Sequence, residues 1–541
     1  MAHTFGDYFR ILSIRENKGD LHEFEELLAP GNAWDQATSR LYSLLRPKCQ
    51  TVIVERDYID NDYRSGYARF YYLRHHDTGR RSTRLHLIGC RIKESDLASP
   101  PDHFTENYLG FAVLRPLPAF RLGRTILTHK LLPPFPRGVT PYLTCQADFR
   151  ANIAGTEVTV RGCPWMEQDT LVAACASASL WMCSWYMSHK YAPDFRPYST
   201  PEITDMATQH LMGTGRPMPS KGLTFEQMVY AATRMGYEAV HYDCRHDVTS
   251  IDQVRQLIYY YVESEIPVIL SLVYPDKATG HAVTVVGHSY DSSMKPIVER
   301  FRDTGPAGNR ISLSFSRTSD FVPGFIVQDD AGGPFRVLKL VDWATAEKQY
   351  LTRTITKNTK LSQLESTYRL LALLDPGSET QRIALLNALL VPLPPGVALE
   401  GGGAESNSVR LLAGWFTRMV YRPRVKTLLR TFLQPSNVLK STWREGRGMP
   451  EDLAQELRKH LMSKWVWVTE VADADEMRET GRVMGQIIQD SAGHPNPSGF
   501  FDLLALNMPG YLGVIPPNEE LHTRPISMYS THPAFRRGWM V

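Results

Sequence analysis

Gln168 and Cys175 lie seven residues apart in a stretch that passes from polar to apolar side chains. After the cysteine, Ala178, Trp181 and Met182 recur at helical spacing, which predicts a helix that begins at or near Cys175. Unpaired N–H groups and the helix dipole at such a position favour a thiolate over a thiol. We therefore predict that Cys175 is a nucleophile. The alternative is a buried structural cysteine, since free cysteines are among the most buried residues.

Two later apolar stretches each carry a polar side chain that could assist this sulfur. His281 opens one predicted strand, and Asp329 ends another strand just before a glycine turn. A histidine can act as general base, and a carboxylate can orient its ring. Because neighbours along a strand point to opposite faces, only one of Asp329 and Asp330 can take this role.

Three other residues compete for the roles of base and nucleophile. His288 lies seven residues after His281 on the same predicted strand, an odd step that places it on the opposite face. We therefore expect His288 to be a surface residue at the strand end. Cys163 precedes a proline in a predicted loop and Cys183 lies in mid-helix, so neither has the helix-start position of Cys175.

Gln168, Cys175, His281 and Asp329, in that chain order, resemble the papain-like cysteine peptidases. The resemblance is closest to the bacterial branch that includes the bacteriocin-leader (double-glycine) peptidases, and it covers roughly residues 163–340. It implies a helical lobe that carries the nucleophile and an antiparallel sheet that carries the base. It also implies cleavage of an amide bond, with no cofactor and no metal, in which Gln168 donates its side-chain amide to the oxyanion.

The sequence departs from papain itself in three respects. The spacing from glutamine to cysteine is one residue longer, the Cys-Trp pair is missing, and aspartate replaces asparagine as the orienting residue. The longer spacing brings Glu167 and Asp169 into question beside Gln168, although neither carboxylate could donate a hydrogen bond when ionised.

Composition excludes several classes of protein. The chain has 541 residues, of which 43% are hydrophobic and 22% charged, with a net charge of +3, so nothing favours binding to nucleic acid or a membrane. The N-terminal residues contain no signal-peptide core, and no apolar run reaches the length of a membrane span. The seven cysteines are scattered without a CxxC pair, which argues against a disulfide scaffold or zinc site. We expect a cytoplasmic location.

The length requires more than one domain, and we expect an α+β fold. The predicted divisions are an N-terminal α+β accessory domain at 1–148, a peptidase domain at 149–360 and a C-terminal α+β domain at 361–541. The C-terminal domain shows no chemistry of its own, so we expect it to bind substrate or a partner. Because the two flanks together exceed the central region in length, we expect a narrow protein or peptide substrate and a regulatory protein partner.

Three predictions concern the N-terminal region. The span Phe24–Leu45 has a helical pattern. The acidic and aromatic stretch Asp57–Arg64 lacks the spacing and glycine of a calcium loop, so we expect a solvated turn there rather than a cation site. We expect His75, His76 and His86 to be exposed surface residues, because no cysteine or carboxylate completes a metal-ligand set.

The remaining predictions concern the segments around and after the candidate site. Residues Met294–Arg317, between the base and orienter strands, form either a hairpin that overhangs the cleft or a plain connecting loop. Ser378–Leu390 has a helical pattern, and Gly401–Ser406 predicts a flexible loop. If the hairpin or the C-terminal region covers the cleft, a partner or ligand must displace it for activity.

The sequence thus predicts a cysteine peptidase with a Cys-His-Asp triad. Acyl transfer or deamidation would use the same residues. A non-catalytic protein that keeps the fold is the alternative outside enzymes, but such a protein has no need to hold a thiol beside a base. The sequence does not identify the substrate, the cleavage site or the activating event.

Overall fold

The computed structural model of the chain describes most of its residues. These are residues 8–75, 78–98, 102–169, 171–172, 174–209, 222–275, 279–304, 310–344, 346, 361–418, 426–444, 451–493, 502–508, 511–515, 522–525 and 532–533. His76 and the hairpin tip at 305–309 lie outside this set.

The chain is a mixed α+β protein, as predicted. The helices are α1 (Lys18–Leu28), α2 (Gln36–Leu45), α3 (Asn61–Arg69), α4 (Glu94–Ala98), α5 (Asp102–Glu106), α6 (Cys175–Lys190), α7 (Thr200–Thr208), α8 (Phe225–Arg234), α9 (Ile251–Glu263), α10 (Leu361–Thr367), α11 (Gly401–Arg418), α12 (Ser436–Arg444), α13 (Glu451–Lys459) and α14 (Ala474–Thr480).

The strands build three large sheets. They are β1 (Phe9–Ser13), β2 (Thr51–Tyr58), β3 (Ser82–Ile88), β4 (Tyr108–Leu114), β5 (Leu122–Thr128), β6 (Val139–Tyr142), β7 (Ala147–Ile153), β8 (Thr156–Trp165), β9 (Glu238–Asp243), β10 (Val268–Tyr274), β11 (Thr279–Asp291), β12 (Glu299–Thr304), β13 (Arg310–Arg317), β14 (Phe325–Asp329), β15 (Gly333–Asp342), β16 (Leu370–Leu374), β17 (Arg382–Leu393), β18 (Thr427–Pro435), β19 (Trp465–Asp473), β20 (Arg482–Val483), β21 (Gly485–Asp490), β22 (Leu503–Met508), β23 (Tyr511–Val514), β24 (His522–Pro525) and β25 (His532–Pro533).

The first sheet is antiparallel and has the strand order β1-β2-β3-β4-β5-β8-β7. Its last strands extend to Trp165, so it crosses the division predicted at residue 148. Strand β8 pairs with β5, with Trp165 opposite Thr125, and then leads directly into the segment that carries Gln168. The N-terminal sheet therefore fixes one end of that segment.

The second sheet closes into a barrel, because β10 pairs with both β11 and β17 in the order β10-β11-β14-β15-β16-β17. Strands β9 and β6 extend it at β17 and β11. The side chains of Leu270, Val283, Val327 and Leu386 belong to one buried core. Since β16 and β17 are barrel strands, this sheet crosses the division predicted at residue 360.

The helix predicted over Ser378–Leu390 is wrong, because β17 occupies that region. Its apolar residues are buried almost continuously from Ile383 to Leu393. A strand buried on both faces gives such an unbroken apolar run, which periodicity alone does not distinguish from a buried helix.

The third sheet has the order β12-β13-β18-β19-β21-β22-β23-β24. The predicted insertion forms the antiparallel hairpin β12–β13, and β13 pairs in parallel with β18. The hairpin is thus the edge of the C-terminal sheet, although it lies between the base and orienter strands in the chain.

The predictions of a single helix over Phe24–Leu45 and of a flexible loop at Gly401–Ser406 are wrong. The span Phe24–Leu45 contains two helices, α1 and α2, with Pro30 between them. The glycines at 401–403 begin helix α11 instead of forming a loop. Close packing requires glycine at position 401, since a Cβ on Gly401 would lie 2.8 Å from Cγ of Tyr260.

Two side chains that were expected at the surface, Asp60 and His86, are buried and have polar partners. In the predicted solvated turn, Asp60 is buried, caps helix α3 through the Tyr63 N–H and lies 2.8 Å from Nη2 of Arg124. His86 is fully buried and bonds to the Tyr108 hydroxyl at 2.8 Å and Glu55 at 3.2 Å, whereas His75 is exposed as expected. Across the described residues, the helices all fall short of the length and apolar character needed to cross a membrane.

Candidate active site

Cys175 is the first residue of helix α6. The N-cap residue is Ala174, which offers no side-chain acceptor to the N–H groups of the first turn. Cys175 is half-buried, whereas Cys163 and Cys183 are fully buried. Burial raises the pKa of Cys163 to about 12, so that thiol stays protonated and unreactive. Cys175 thus combines partial access with a helix-start position.

His281 lies near the start of β11, and the Cys175 side chain is close enough to its ring to help raise the pKa of His281. Its Nε2 donates to Oδ1 of Asp329 over 2.9 Å. Because Nε2 is committed to this carboxylate, Nδ1 is the nitrogen available to the sulfur. The Tyr274 ring lies 5.3 Å from the His281 ring, and the guanidinium of Arg382 covers Tyr274 at 3.5 Å.

Asp329 ends β14 and is held by four donors besides Trp165. Its Oδ1 accepts the N–H groups of Ala331 and Gly332, at 3.0 and 2.9 Å, as well as the histidine proton. Its Oδ2 accepts Nη1 of Arg336 at 2.7 Å. Trp165 donates its indole N–H to the backbone oxygen of Asp329. The carboxylate is therefore fixed in position and fully hydrogen-bonded.

The glycine turn after β14 is required by close approach. A Cβ at Gly332 would lie 2.2 Å from Nη1 of Arg336 and 2.6 Å from Oδ2 of Asp329. Any side chain there would displace the ion pair that holds the carboxylate. Sequence reasoning missed Arg336, whose only signal was a charged residue within an apolar strand.

The pair of charges at His281 and Asp329 is stabilised in the fold. Burial opposes a charge on His281, but the Asp329 carboxylate, Tyr274 and Cys175 together raise the pKa of His281 well above its usual value. Burial also opposes a charge on Asp329, but His281, Arg336 and the Gly332 N–H hold the pKa of Asp329 well below its usual range. The site therefore favours imidazolium and carboxylate at neutral pH.

Asp330 is a second, different carboxyl group beside the same histidine. It is buried, its Oδ1 lies 3.7 Å from Nε2 of His281, and neither oxygen has a hydrogen-bond partner among the described residues. Burial, reinforced by the charge of Asp329, raises the pKa of Asp330 to about 7. The orienting contact thus belongs to Asp329. The expectation that alternation turns Asp330 away from this site is wrong, because β14 ends at Asp329 and both carboxyl groups lie beside the His281 ring.

Gln168 lies next to the two aspartates. Its backbone N–H donates to the backbone oxygen of Asp330 over 3.3 Å, and its side chain is half-buried. The acids on either side are turned into the N-terminal region, where Glu167 accepts the Leu122 N–H and Asp169 accepts the Tyr71 hydroxyl. Gln168 is therefore the residue of this trio that remains available to the site.

His281, Asp329 and Asp330 are also a group whose ligand atoms could surround a metal ion, since these atoms lie within 4.8 Å of one another. The donor chemistry does not suit a cation. Oδ2 of Asp329 is paired with the guanidinium of Arg336, and Oδ1 is occupied by two backbone N–H groups. A divalent cation would have to compete with that fixed positive charge.

The expectation that His288 is exposed is wrong. It is buried, and its Nε2 lies 3.1 Å from Oε2 of Glu263, which also pairs with Arg430. The His288 ring also packs against Tyr259 of helix α9. The register of β11 against β14 shifts between Val285 and Gly287, so strand alternation alone does not fix the face on which His288 lies.

No family model matches this chain, and no curated protein matches it at a significant level.

Proposed function

We propose that this protein is a cysteine peptidase that cleaves an amide bond in a protein or peptide substrate through Cys175, His281 and Asp329. The observation that carries the proposal is the series that runs from a half-buried thiol at a helix start, through the adjacent His281, to the Asp329 carboxylate, which is hydrogen-bonded to His281 over 2.9 Å. A thiol beside an oriented histidine is the arrangement that generates a nucleophilic thiolate.

The reaction would proceed by acyl transfer to the sulfur. The Cys175 thiolate attacks the carbonyl carbon, and the carbonyl oxygen becomes an oxyanion. Gln168 and the Cys175 backbone N–H would stabilise that oxyanion, each donor contributing roughly 3 kcal/mol to the transition state. His281 then protonates the leaving amine, the C–N bond breaks, and a thioester remains. Water activated by His281 hydrolyses the thioester and restores the thiol.

The arrangement of the central region supports a papain-like catalytic domain as part of this proposal. A buried helix carries the candidate nucleophile at its N-terminus, and an antiparallel barrel carries the candidate base and orienter on adjacent strands, β11 and β14. Strands β16 and β17 belong to the same barrel, so the catalytic unit proposed here extends beyond residue 360.

The chemistry also bears on location. A peptidase of this class needs Cys175 in the reduced form, and all seven cysteines are free thiols. We therefore place the active protein in a reducing compartment such as the cytoplasm.

The experiment combines covalent labelling with product analysis. A peptide with an electrophilic carbonyl should label Cys175 in the wild type, and Cys175→Ala should abolish the labelling. A pool of peptides incubated in heavy-oxygen water should yield cleaved products with the heavy isotope in the new carboxyl group.

The matched control is Cys90→Ala, which removes the other half-buried thiol without touching the site. Two results would overturn the proposal. One is labelling that persists in Cys175→Ala, and the other is deamidation of, or acyl transfer from, glutamine side chains with no cleavage of any peptide bond.

A further inference from the structure

The segment between Trp165 and Cys175 carries Gln168 and is held from its far side by the N-terminal region. Asp169 is buried, and its Oδ1 accepts the N–H groups of Leu171 and Val172 at 3.0 and 2.7 Å. These bonds connect Asp169 to residues just before helix α6.

Two side chains from the N-terminal region contact the residues on either side of Gln168. The Tyr71 hydroxyl donates to Oδ2 of Asp169 over 2.7 Å. Arg115 donates through Nη2 to the backbone oxygen of Glu167 over 2.9 Å and lies 3.5 Å from Oδ2 of Asp169. Burial, together with the charge of Asp169, raises the pKa of Tyr71 far above its usual value, so its hydroxyl stays a donor.

The contacts therefore bracket Gln168 on three sides. Glu167 before it is held by Arg115, Asp169 after it is held by Tyr71, and its own N–H is held by Asp330 of the barrel. Without the Tyr71 and Arg115 contacts, the segment would keep the barrel contact, at 3.3 Å the longest of the three hydrogen bonds, and the bonds between Glu167 and Leu122.

We propose that Tyr71 and Arg115 are positioning residues that hold Gln168 where its amide meets the oxyanion, a role that rests on the function proposed above. Oxyanion donors act because they are fixed before the charge develops. On this view, the N-terminal region contributes to catalysis by holding the segment that carries Gln168.

Tyr71→Phe is the most selective test, because it deletes one hydroxyl and keeps the ring in its aromatic cluster. Tyr63→Phe is the matched control. Tyr63 lies in the same cluster, and its buried hydroxyl donates to the backbone oxygen of Gly79 over 2.7 Å instead of to the Gln168 segment. A general loss of stability would affect both variants alike.

Two thiol reagents separate positioning from structural damage. p-Nitrophenyl acetate acylates the sulfur through an oxyanion, with p-nitrophenolate as the leaving group. Iodoacetamide alkylates the sulfur by displacing iodide, and no oxyanion forms. Loss of a whole oxyanion donor typically slows the reaction by about 10²–10³-fold. Because Tyr71→Phe only loosens the donor, it should slow acylation about tenfold and leave the rate of alkylation unchanged. Tyr63→Phe should change neither rate.

A variant of Gln168 tests whether the effect passes through the glutamine. In a Gln168→Ala background, Tyr71→Phe should cause no further loss of acylation, because the group it positions is gone. Arg115→Met should slow acylation at least as much as Tyr71→Phe, with partial rescue by Arg115→Lys.

Three results would overturn the inference. The first is an equal acylation rate in Tyr71→Phe and Tyr63→Phe, and the second is equal slowing of acylation and alkylation in Tyr71→Phe. The third is a double variant, Gln168→Ala with Tyr71→Phe, whose acylation rate is reduced by the product of the two single reductions. These outcomes are distinct from failure of the proposed function, which would appear as a wild-type protein that reacts with both reagents but hydrolyses no peptide.

Discussion

Asp330→Asn should make the stability of the protein less sensitive to pH. The Asp330 carboxyl is buried beside the ionised Asp329, and its oxygens have no hydrogen-bond partner among the described residues. Its pKa is raised from the ordinary value of 3.8 to about 7 in the folded protein. The folded state therefore binds this proton more tightly than the unfolded state does.

The sign and the size follow from that difference. Because the folded pKa is the higher one, stability falls as pH rises from about 4 to about 7 and is then constant in this contribution. Each pH unit between the two values costs about 1.36 kcal/mol, so the cost is roughly 1.5 kcal/mol at pH 5 and roughly 4 kcal/mol at pH 8. Asparagine does not titrate, so the variant avoids the change of roughly 2.5 kcal/mol between these conditions.

The assay is urea unfolding of wild type and Asp330→Asn at pH 5, 6.5 and 8, followed by tryptophan fluorescence. Any cost of burying the asparagine amide is the same at each pH and cancels from the comparison. Asp148→Asn, on an exposed position of β7, is the control and should follow the wild type. A stability difference between Asp330→Asn and wild type that is the same at pH 5 and pH 8, or that favours wild type more at pH 8, would refute the reasoning.

Three further outcomes follow from the same contacts. At mildly acidic pH, iodoacetamide should modify Cys175 before the other six cysteines, as peptide mapping would show, and earlier modification of Cys183 would contradict the assignment. Arg336→Met should lower the free energy of unfolding by about 3–5 kcal/mol, because it removes the buried guanidinium that pairs with both Asp329 and Asp375, and a loss below 1 kcal/mol in urea unfolding would count against the ion pair. Deleting residues 361–541 removes β16 and β17 from the barrel, so the truncated chain should be unfolded by circular dichroism and inactive. A folded, active truncation would show that the barrel does not depend on these strands.

The wrong helix and surface predictions share a physical cause. Periodicity tells which side chains share a face of an element, but it does not tell what covers that face. His288 was expected at the surface, yet it is buried because Glu263 and Tyr259 of helix α9 contact its ring. The same limit applies to β17, where both faces are covered and the alternation that marks a strand is lost.

The sequence by itself determined the mixed α+β class, the helix that begins at Cys175, and the strand that ends at Asp329. These features depend on neighbours within a few residues, so local spacing is enough to specify them. Whether the residues catalyse peptide cleavage stays a prediction.

Only the tertiary structure decided how the candidate site is supported. Arg336 reaches Asp329 from the next strand, and Tyr71 and Arg115 reach Asp169 from about 98 and 54 residues away in the chain. Buried charges need partners, but any of many polar residues could supply them, and spacing does not say which one the fold brings near. The sequence therefore specified the candidate site residues, whereas strand pairing within the barrel and the contacts of the N-terminal region selected the residues that hold them in place.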